Sequence, residues 1–138
     1  MAQSAVDIVD ILAGLTLFAD LTHPQLESVA HIFDEEVFEE GARIMRRGFS
    51  GSGFYVIIEG EAKVSVDGQH VQVLGRGEFF GEISVLLGEN PSADITASSP
   101  LRCLVISSAE LRPFLESYPN VMFRMLQAMA MKLRKTLR

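Results

Sequence analysis

Residues 79–99 read FFGEISVLLGENPSADITASS, and the reading of this stretch decides the fold. It opens on Phe79, Phe80 and Gly81-Glu82, runs through a short apolar segment from Ile83 to Leu87, and leaves through Gly88 and Pro91. An apolar turn between glycines, set inside a loop, is suited to an anion. A helix start exposes unpaired backbone N–H groups and the positive end of a dipole, and a glycine lets the backbone come close to a ligand. The stretch carries three acids, Glu82, Glu89 and Asp94, and no Lys or Arg. A loop shaped for a phosphate thus lacks a positive charge of its own.

The segments around it are β-rich. From Glu35 onward, Val37, Phe38, Ile44 and Met45 are broken by Gly41 and Gly48; Phe54 to Ile58 then meet Glu59-Gly60 before Ala62 to Val66. Short β-rich runs at this spacing, separated by glycine turns, predict a sandwich or barrel. Asp67-Gly68 between Val66 and Val71 is a two-residue hairpin signal. Leu101, Cys103 and Val105 alternate with Arg102 and Leu104 after a Ser98-Ser99-Pro100 turn, which predicts strands over 93–99 and 101–107. The middle of the chain is therefore expected to be a small antiparallel β-barrel.

Helices flank it. Ile8, Ile11, Leu12 and Leu15 recur at helical spacing over Val6 to Leu17, and Thr22 with Gln25 three residues on and Pro24 in the first turn predicts a capped helix to about Phe33. Ser108 is expected to cap a helix through Glu116, and Pro119-Asn120 to open a last one over 121–137. In that helix Met122, Leu126, Met129, Leu133 and Leu137 form an apolar stripe, which either folds back on its own domain or pairs with the same helix of a second chain.

Composition narrows the class. At 138 residues the chain is the size of one domain, and with 48% hydrophobic and 22% charged residues it reads as globular. No apolar run reaches the roughly 20 residues needed to span a bilayer, and the N-terminus, with Asp7 and Asp10 among its apolar positions and no basic flank, is not a signal peptide. The single cysteine, Cys103, lies in an alternating run and is expected to be a small buried side chain. These features point to a soluble cytoplasmic protein. A net charge of -6 argues against a nucleic-acid surface spread over the domain. Residues 1–42 hold nine acids and no Lys or Arg, whereas 121–138 hold Arg124, Lys132, Arg134, Lys135 and Arg138 and no acid. These are either solvated helix faces or ends that attract one another.

Helices, an eight-strand barrel with one glycine-rich loop carrying a short helix, then a long helix: this order, with FGEISVLL in the loop, LTLFADLTHPQLESVA before it and EEGARIMRRGFSGSGFYVIIEGEAKV between, resembles the cyclic-nucleotide-binding domain, the family of the catabolite activator protein and of cAMP-dependent kinase regulatory subunits. The resemblance covers nearly the whole chain. It implies a mainly β jelly roll, or double-stranded β-helix, as a single domain over 1–138: N-terminal helices over 1–33, a barrel over 34–107 with a phosphate-binding cassette at 79–96, and C-terminal helices over 108–138. In the family the cassette reads F-G-E, an apolar helical turn, then P-R-S/A-A. Gly81 and Glu82 match, so the resemblance implies that Glu82 accepts a hydrogen bond from a ribose 2′-hydroxyl while the N–H groups around Ile83, Ser84 and Ala93 face the phosphate. Aligning Pro91-Ser92-Ala93-Asp94 with that pattern puts Ser92 where the phosphate-clasping arginine belongs, and Asp94 where a small residue does.

Losing an arginine from a desolvated charge pair costs about 2 to 5 kcal/mol, roughly 30-fold to over 1000-fold in affinity. Arg46, Arg47, Arg76 and Arg102 lie in barrel segments or their turns as substitute cations. Thr136 aligns with a base-contacting threonine of the catabolite activator protein; its other reading is an exposed residue on a last helical turn. Three functions follow: a sensor of cAMP, cGMP or a related anion whose last helix moves as a lid; a dimerisation or docking module that binds no nucleotide; or a sensor of a different small ligand without a charged phosphate. His23, His31 and His70 are scattered without metal-ligand spacing, and no nucleophile elbow is present, so neither an enzyme nor a metal site is expected. DNA binding through this chain is not expected either, because family transcription factors append a helix-turn-helix after the long helix.

Overall fold

The computed structural model describes residues 5–49 and 53–137. Arg138, one of the basic residues counted above, lies outside them. Two compact units divide the chain: a β unit over 33–111, and a helical unit made of the residues up to Ile32 with those from Arg112 on.

The β unit has eight strands among the described residues: β1 (Asp34–Phe38), β2 (Arg43–Met45), β3 (Gly53–Glu59), β4 (Ala62–Val66), β5 (Gln69–Leu74), β6 (Phe79–Phe80), β7 (Asp94–Ala97) and β8 (Leu101–Ser107). They form two four-stranded antiparallel sheets, ordered β1-β8-β3-β6 and β2-β7-β4-β5. This is the expected jelly roll, although its two sheets stay open and do not close into one barrel. The Asp67-Gly68 hairpin forms as read: Val66 faces Gln69, and φ is 53° at Asp67 and 78° at Gly68, the left-handed pair that a tight two-residue turn requires.

One core cluster joins the sheets. Tyr55, Ile57, Phe80, Leu101 and Cys103 come from the first sheet, and Met45, Ala62, Val64, Leu74, Ile95 and Ala97 from the second. Period-two alternation selects these residues, and burying each large one contributes about 1.5–3 kcal/mol. The rings of Tyr55 and Phe80 stack at 4.8 Å. Burial pushes the Cys103 thiol up to about 12, with the Glu36 charge adding to the effect, so the cysteine is a neutral core side chain. On strand β8, Arg102 is held by two carboxylates, Nε and Nη2 donating to Glu35 at 2.9 and 2.6 Å and Nη1 to Glu59 at 2.8 Å. Bonds to Glu59 and Glu35 raise its pKa above the ordinary arginine value.

The helical unit contains α1 (Ala5–Ala13), a 3₁₀ turn (Thr16–Phe18), α2 (His23–Ile32) and α5 (Pro119–Thr136); α4 (Ser108–Ser117) begins in the β unit and ends here. The first helix is shorter than its periodicity predicts. Gly14 and Leu15 bond back to Ile11 and Leu12, three residues away, so the chain tightens after Ala13. The capping box is present: Thr22 N–H donates to Gln25 Oε1 at 2.9 Å, and Gln25 N–H to Thr22 Oγ1 at 3.3 Å. Ser108 is the first helical residue of α4, which runs one residue past Glu116.

Val121 and Met125 bury one face of α5, and Arg124 is bound to Asp20 by two hydrogen bonds, 2.8 and 2.9 Å. That contact lowers the Asp20 carboxyl pKa and raises that of Arg124. The predicted stripe is a different face. Met122, Leu126, Leu133 and Leu137 are 37%, 56%, 59% and 77% exposed, so it is not the surface that packs on its own unit. No helix among the described residues is long and apolar enough to cross a membrane.

Candidate functional site

The stretch between β6 and β7 folds as a loop around a short helix, α3 (Glu82–Leu87). Both ends are set by glycines. Gly81 precedes the helix with φ 91°, and a Cβ there would fall 2.1 Å from the Gly53 carbonyl oxygen and 2.8 Å from Met45 Cε. No other residue fits without moving backbone. Gly88 ends the helix at φ 66°: its N–H donates to Val85 O at 3.4 Å while Glu89 N–H donates to Ser84 O at 2.9 Å, a Schellman closure that uses the last carbonyls.

The first turn of α3 lies against β3 and has no side-chain cap, so the N–H groups of Glu82, Ile83 and Ser84 precede the first i to i−4 bond, that of Val85 to Gly81. Glu82 is only 6% exposed. A carboxylate is costly to bury without partners. Ser84 is also buried, its hydroxyl donating to the Gly81 carbonyl at 3.2 Å, whereas Ile83 is half exposed.

The exit differs from the entry. Pro91 is buried, Ser92 is exposed, and Ala93 is half-buried, packed on the core cluster between the sheets. Asp94, which stands where the family pattern has a small residue, accepts the Arg47 N–H on its Oδ1 at 2.8 Å, so the carboxylate is used by the corner between β2 and β3. That corner makes two further bonds to the same segment, Gly48 N–H to Pro91 O at 2.9 Å and Asn90 Nδ2 to Gly48 O at 3.1 Å. The predicted residues therefore sit at the two ends of one loop, Gly81 to Ser84 at the entry and Ser92-Ala93 at the exit. A cleft of about 340 Å³ beside α3 takes in Ser84, Glu89, Asn90 and Ser108 and none of the other predicted site residues.

Sequence reading missed Met45, Gly48 and Gly53, which frame the cassette, and took Arg47 only as a candidate cation. No local signal marks these roles, because the contacts are long-range, 47 residues for Arg47 to Asp94 and 42 for Asn90 to Gly48, with Met45 and Gly53 also distant in sequence from Gly81. Of the four candidate cations, Arg102 is taken by Glu35 and Glu59, and Arg47 pairs with Asp67. Arg76 is exposed on the β5–β6 turn, and the Arg46 guanidinium lies over the Phe49 ring, 4.6 Å from its centroid. Thr136 is exposed, its hydroxyl donating to the Lys132 carbonyl at 3.1 Å within α5. His23, His31 and His70 are separate exposed residues, and no group of three His, Cys, Asp or Glu among the described residues could hold a metal ion.

Known proteins resemble this chain in sequence and in fold. A cGMP-dependent protein kinase of Eimeria tenella is 36% identical over 120 residues, covering 86% of this chain and 12% of the kinase. The chain likewise spans only 12–13% of the next curated kinases it matches. The regulatory domain of Toxoplasma gondii PKA, crystallised with cAMP, superposes with a TM-score of 0.77 at 20% identity, covering 91% of this chain and 50% of that one. A regulatory subunit of a cAMP-independent protein kinase A from Trypanosoma brucei gives a TM-score of 0.74 at 23% identity, covering 89% of this chain and 48% of that one. These two likenesses establish the fold. Residues 35–118, well over half the sequence, match the cyclic nucleotide-binding domain, and with the jelly roll and the Gly81-Glu82 cassette in place the chain belongs to that family.

Proposed function

We propose that the chain is a regulatory ligand sensor in which the cassette holds a cyclic nucleotide more weakly than an arginine-bearing one would, and α5 passes the signal on. One observation carries this reading: the cassette keeps its left-handed Gly81, its uncapped first turn and its buried Glu82, yet has no Lys or Arg anywhere from Phe79 to Ser99. The absence covers the whole stretch, so it does not depend on the register at Pro91 and Ser92. Glu82 binds the ribose 2′-hydroxyl and the N–H groups of Ile83, Ser84 and Ala93 the phosphate, with Ser92 a neutral substitute for arginine. The kinases it matches are named cGMP-dependent, which makes cGMP a ligand to test beside cAMP. The fold alone does not choose, since it serves both a cAMP complex and a cAMP-independent subunit. The reading is non-enzymatic, needs no cofactor, and places the protein in the cytoplasm.

Calorimetric titration with cAMP and cGMP tests it, with the unmodified protein run beside Ser92→Arg. The variant should bind roughly 30-fold to 1000-fold more tightly. Tight binding by the unmodified protein with no gain in the variant rejects the assignment of Ser92.

The exposed stripe of α5 favours a second reading, a dimerisation module that binds no nucleotide. Met122, Leu126, Met129 and Leu133 repeat at steps of four, three and four on a face whose Met122, Leu126 and Leu133 are exposed and whose Met129 is half-buried, which suits pairing of two copies through 121–138. Sedimentation should give a dimer that Leu126→Glu with Leu133→Glu converts to monomer. A monomer from the start removes this reading.

A further inference from the structure

The geometry points to Arg46 as the cation that the cassette itself lacks, an inference that rests on the reading of the cassette as a ribose-phosphate site. The corner carrying Arg46 is bonded to the exit of the loop, and Met45, the residue before it on β2, lies by the entry. At the exit, Arg47 N–H, Gly48 N–H and Gly48 O bond to Asp94, Pro91 and Asn90 respectively. At the entry, a Cβ on Gly81 would come within 2.8 Å of Met45 Cε. Hydrogen-bonded neighbouring segments lie about 5 Å apart, a span that an arginine side chain covers.

The other cations of the β unit are committed elsewhere or distant. Arg47 pairs with Asp67, and Arg102 with Glu35 and Glu59. Arg76 belongs to the β5–β6 turn, where Gly77 N–H bonds to Ile57 O, four residues along β3 from Gly53 and hence roughly 13 Å from the cassette entry. Arg43 and Lys63 both lie opposite Thr96, further along β7 from Ser92. Arg46 has no carboxylate partner among the described residues; its guanidinium rests on the exposed ring of Phe49. An exposed cation–π contact is weaker than a charge-assisted bond to a phosphate, so a bound phosphate draws the guanidinium from the ring.

Titration with cGMP and cAMP of the unmodified protein, Arg46→Ala, Arg76→Ala, and Ser92→Arg with and without Arg46→Ala tests the assignment. Arg46→Ala should weaken binding about tenfold or more, Arg76→Ala should leave it unchanged, and in the Ser92→Arg background the Arg46→Ala loss should shrink, because the two cations serve one anion. Equal affinity of the unmodified and Arg46→Ala proteins overturns the assignment, as does a loss undiminished beside Ser92→Arg. Binding seen only in Ser92→Arg overturns it while keeping the cassette reading. No binding by any variant, with unchanged melting curves, overturns both.

Discussion

Gly60-Glu61 and Gly81-Glu82 are the same dipeptide in two places, and both glycines have φ 91°. Both are also crowded: a Cβ would fall 2.1 Å from the Pro100 carbonyl oxygen at Gly60, and 2.1 Å from that of Gly53 at Gly81. Backbone packing alone therefore requires the glycine, with or without a ligand. The glutamates part company. Glu61 is exposed at the start of a turn that leads into β4, whereas Glu82 is 6% exposed in the first turn of a helix set against β3. Two further Gly-Glu pairs, Gly77-Glu78 and Gly88-Glu89, have left-handed glycines and exposed acids as well. A Gly-Glu dipeptide thus encodes a turn, and of these four only the one at Gly81 buries its acid.

The largest expected effect is where the two turns agree. Gly60→Ala and Gly81→Ala should each lose at least about 2 kcal/mol in chemical denaturation, from a left-handed φ and an overlap with backbone. If Gly81→Ala were tolerated and Gly60→Ala were not, the cassette entry would be softer than its geometry implies. Next comes the contrast itself. Glu82→Gln should weaken cGMP binding by roughly 10- to 100-fold, in the unmodified protein and in Ser92→Arg alike, the value of a hydrogen bond to a charged group. Glu61→Gln should change nothing, and equal effects would dissolve the distinction between the two acids.

The smallest effects concern what fastens each turn. Asp94 ties the cassette exit to the β2–β3 corner through the Arg47 N–H, and Ser99 Oγ accepts the Glu61 N–H at 2.9 Å beside Gly60. Both bonds are solvent-exposed, so Asp94→Ala should cost about 1 kcal/mol and Ser99→Ala about half that, read from denaturation midpoints. A larger loss from Ser99→Ala would reverse the ranking and show the structural turn to be the more tightly held of the two.

Much of the β unit was legible because its signals are local. Asp67-Gly68 specifies a left-handed turn, Phe54 to Ile58 a buried strand, and, outside that unit, Thr22 with Gln25 a helix start, each within about five residues. The apolar turn after Gly81 likewise reads as a helix without knowledge of its surroundings. The stripe of α5 shows the limit: its periodicity was plain, but Val121 and Met125, outside the stripe, are the side chains that α5 buries. Periodicity locates an apolar face, and only the neighbours decide whether that face is covered.

The sequence by itself determined the order of elements, the glycine turns and the absence of a cation from 79–99, because each is fixed by backbone preference or residue identity over a few positions. The tertiary structure alone decided that Glu82 is buried, that Asp94 serves the β2–β3 corner, and that Arg47 and Arg102 are held by carboxylates while Arg46 rests on Phe49. Those outcomes depend on strand register and on contacts between residues 20 to 67 positions apart. A single-residue shift in such a register would turn each side chain to the opposite face.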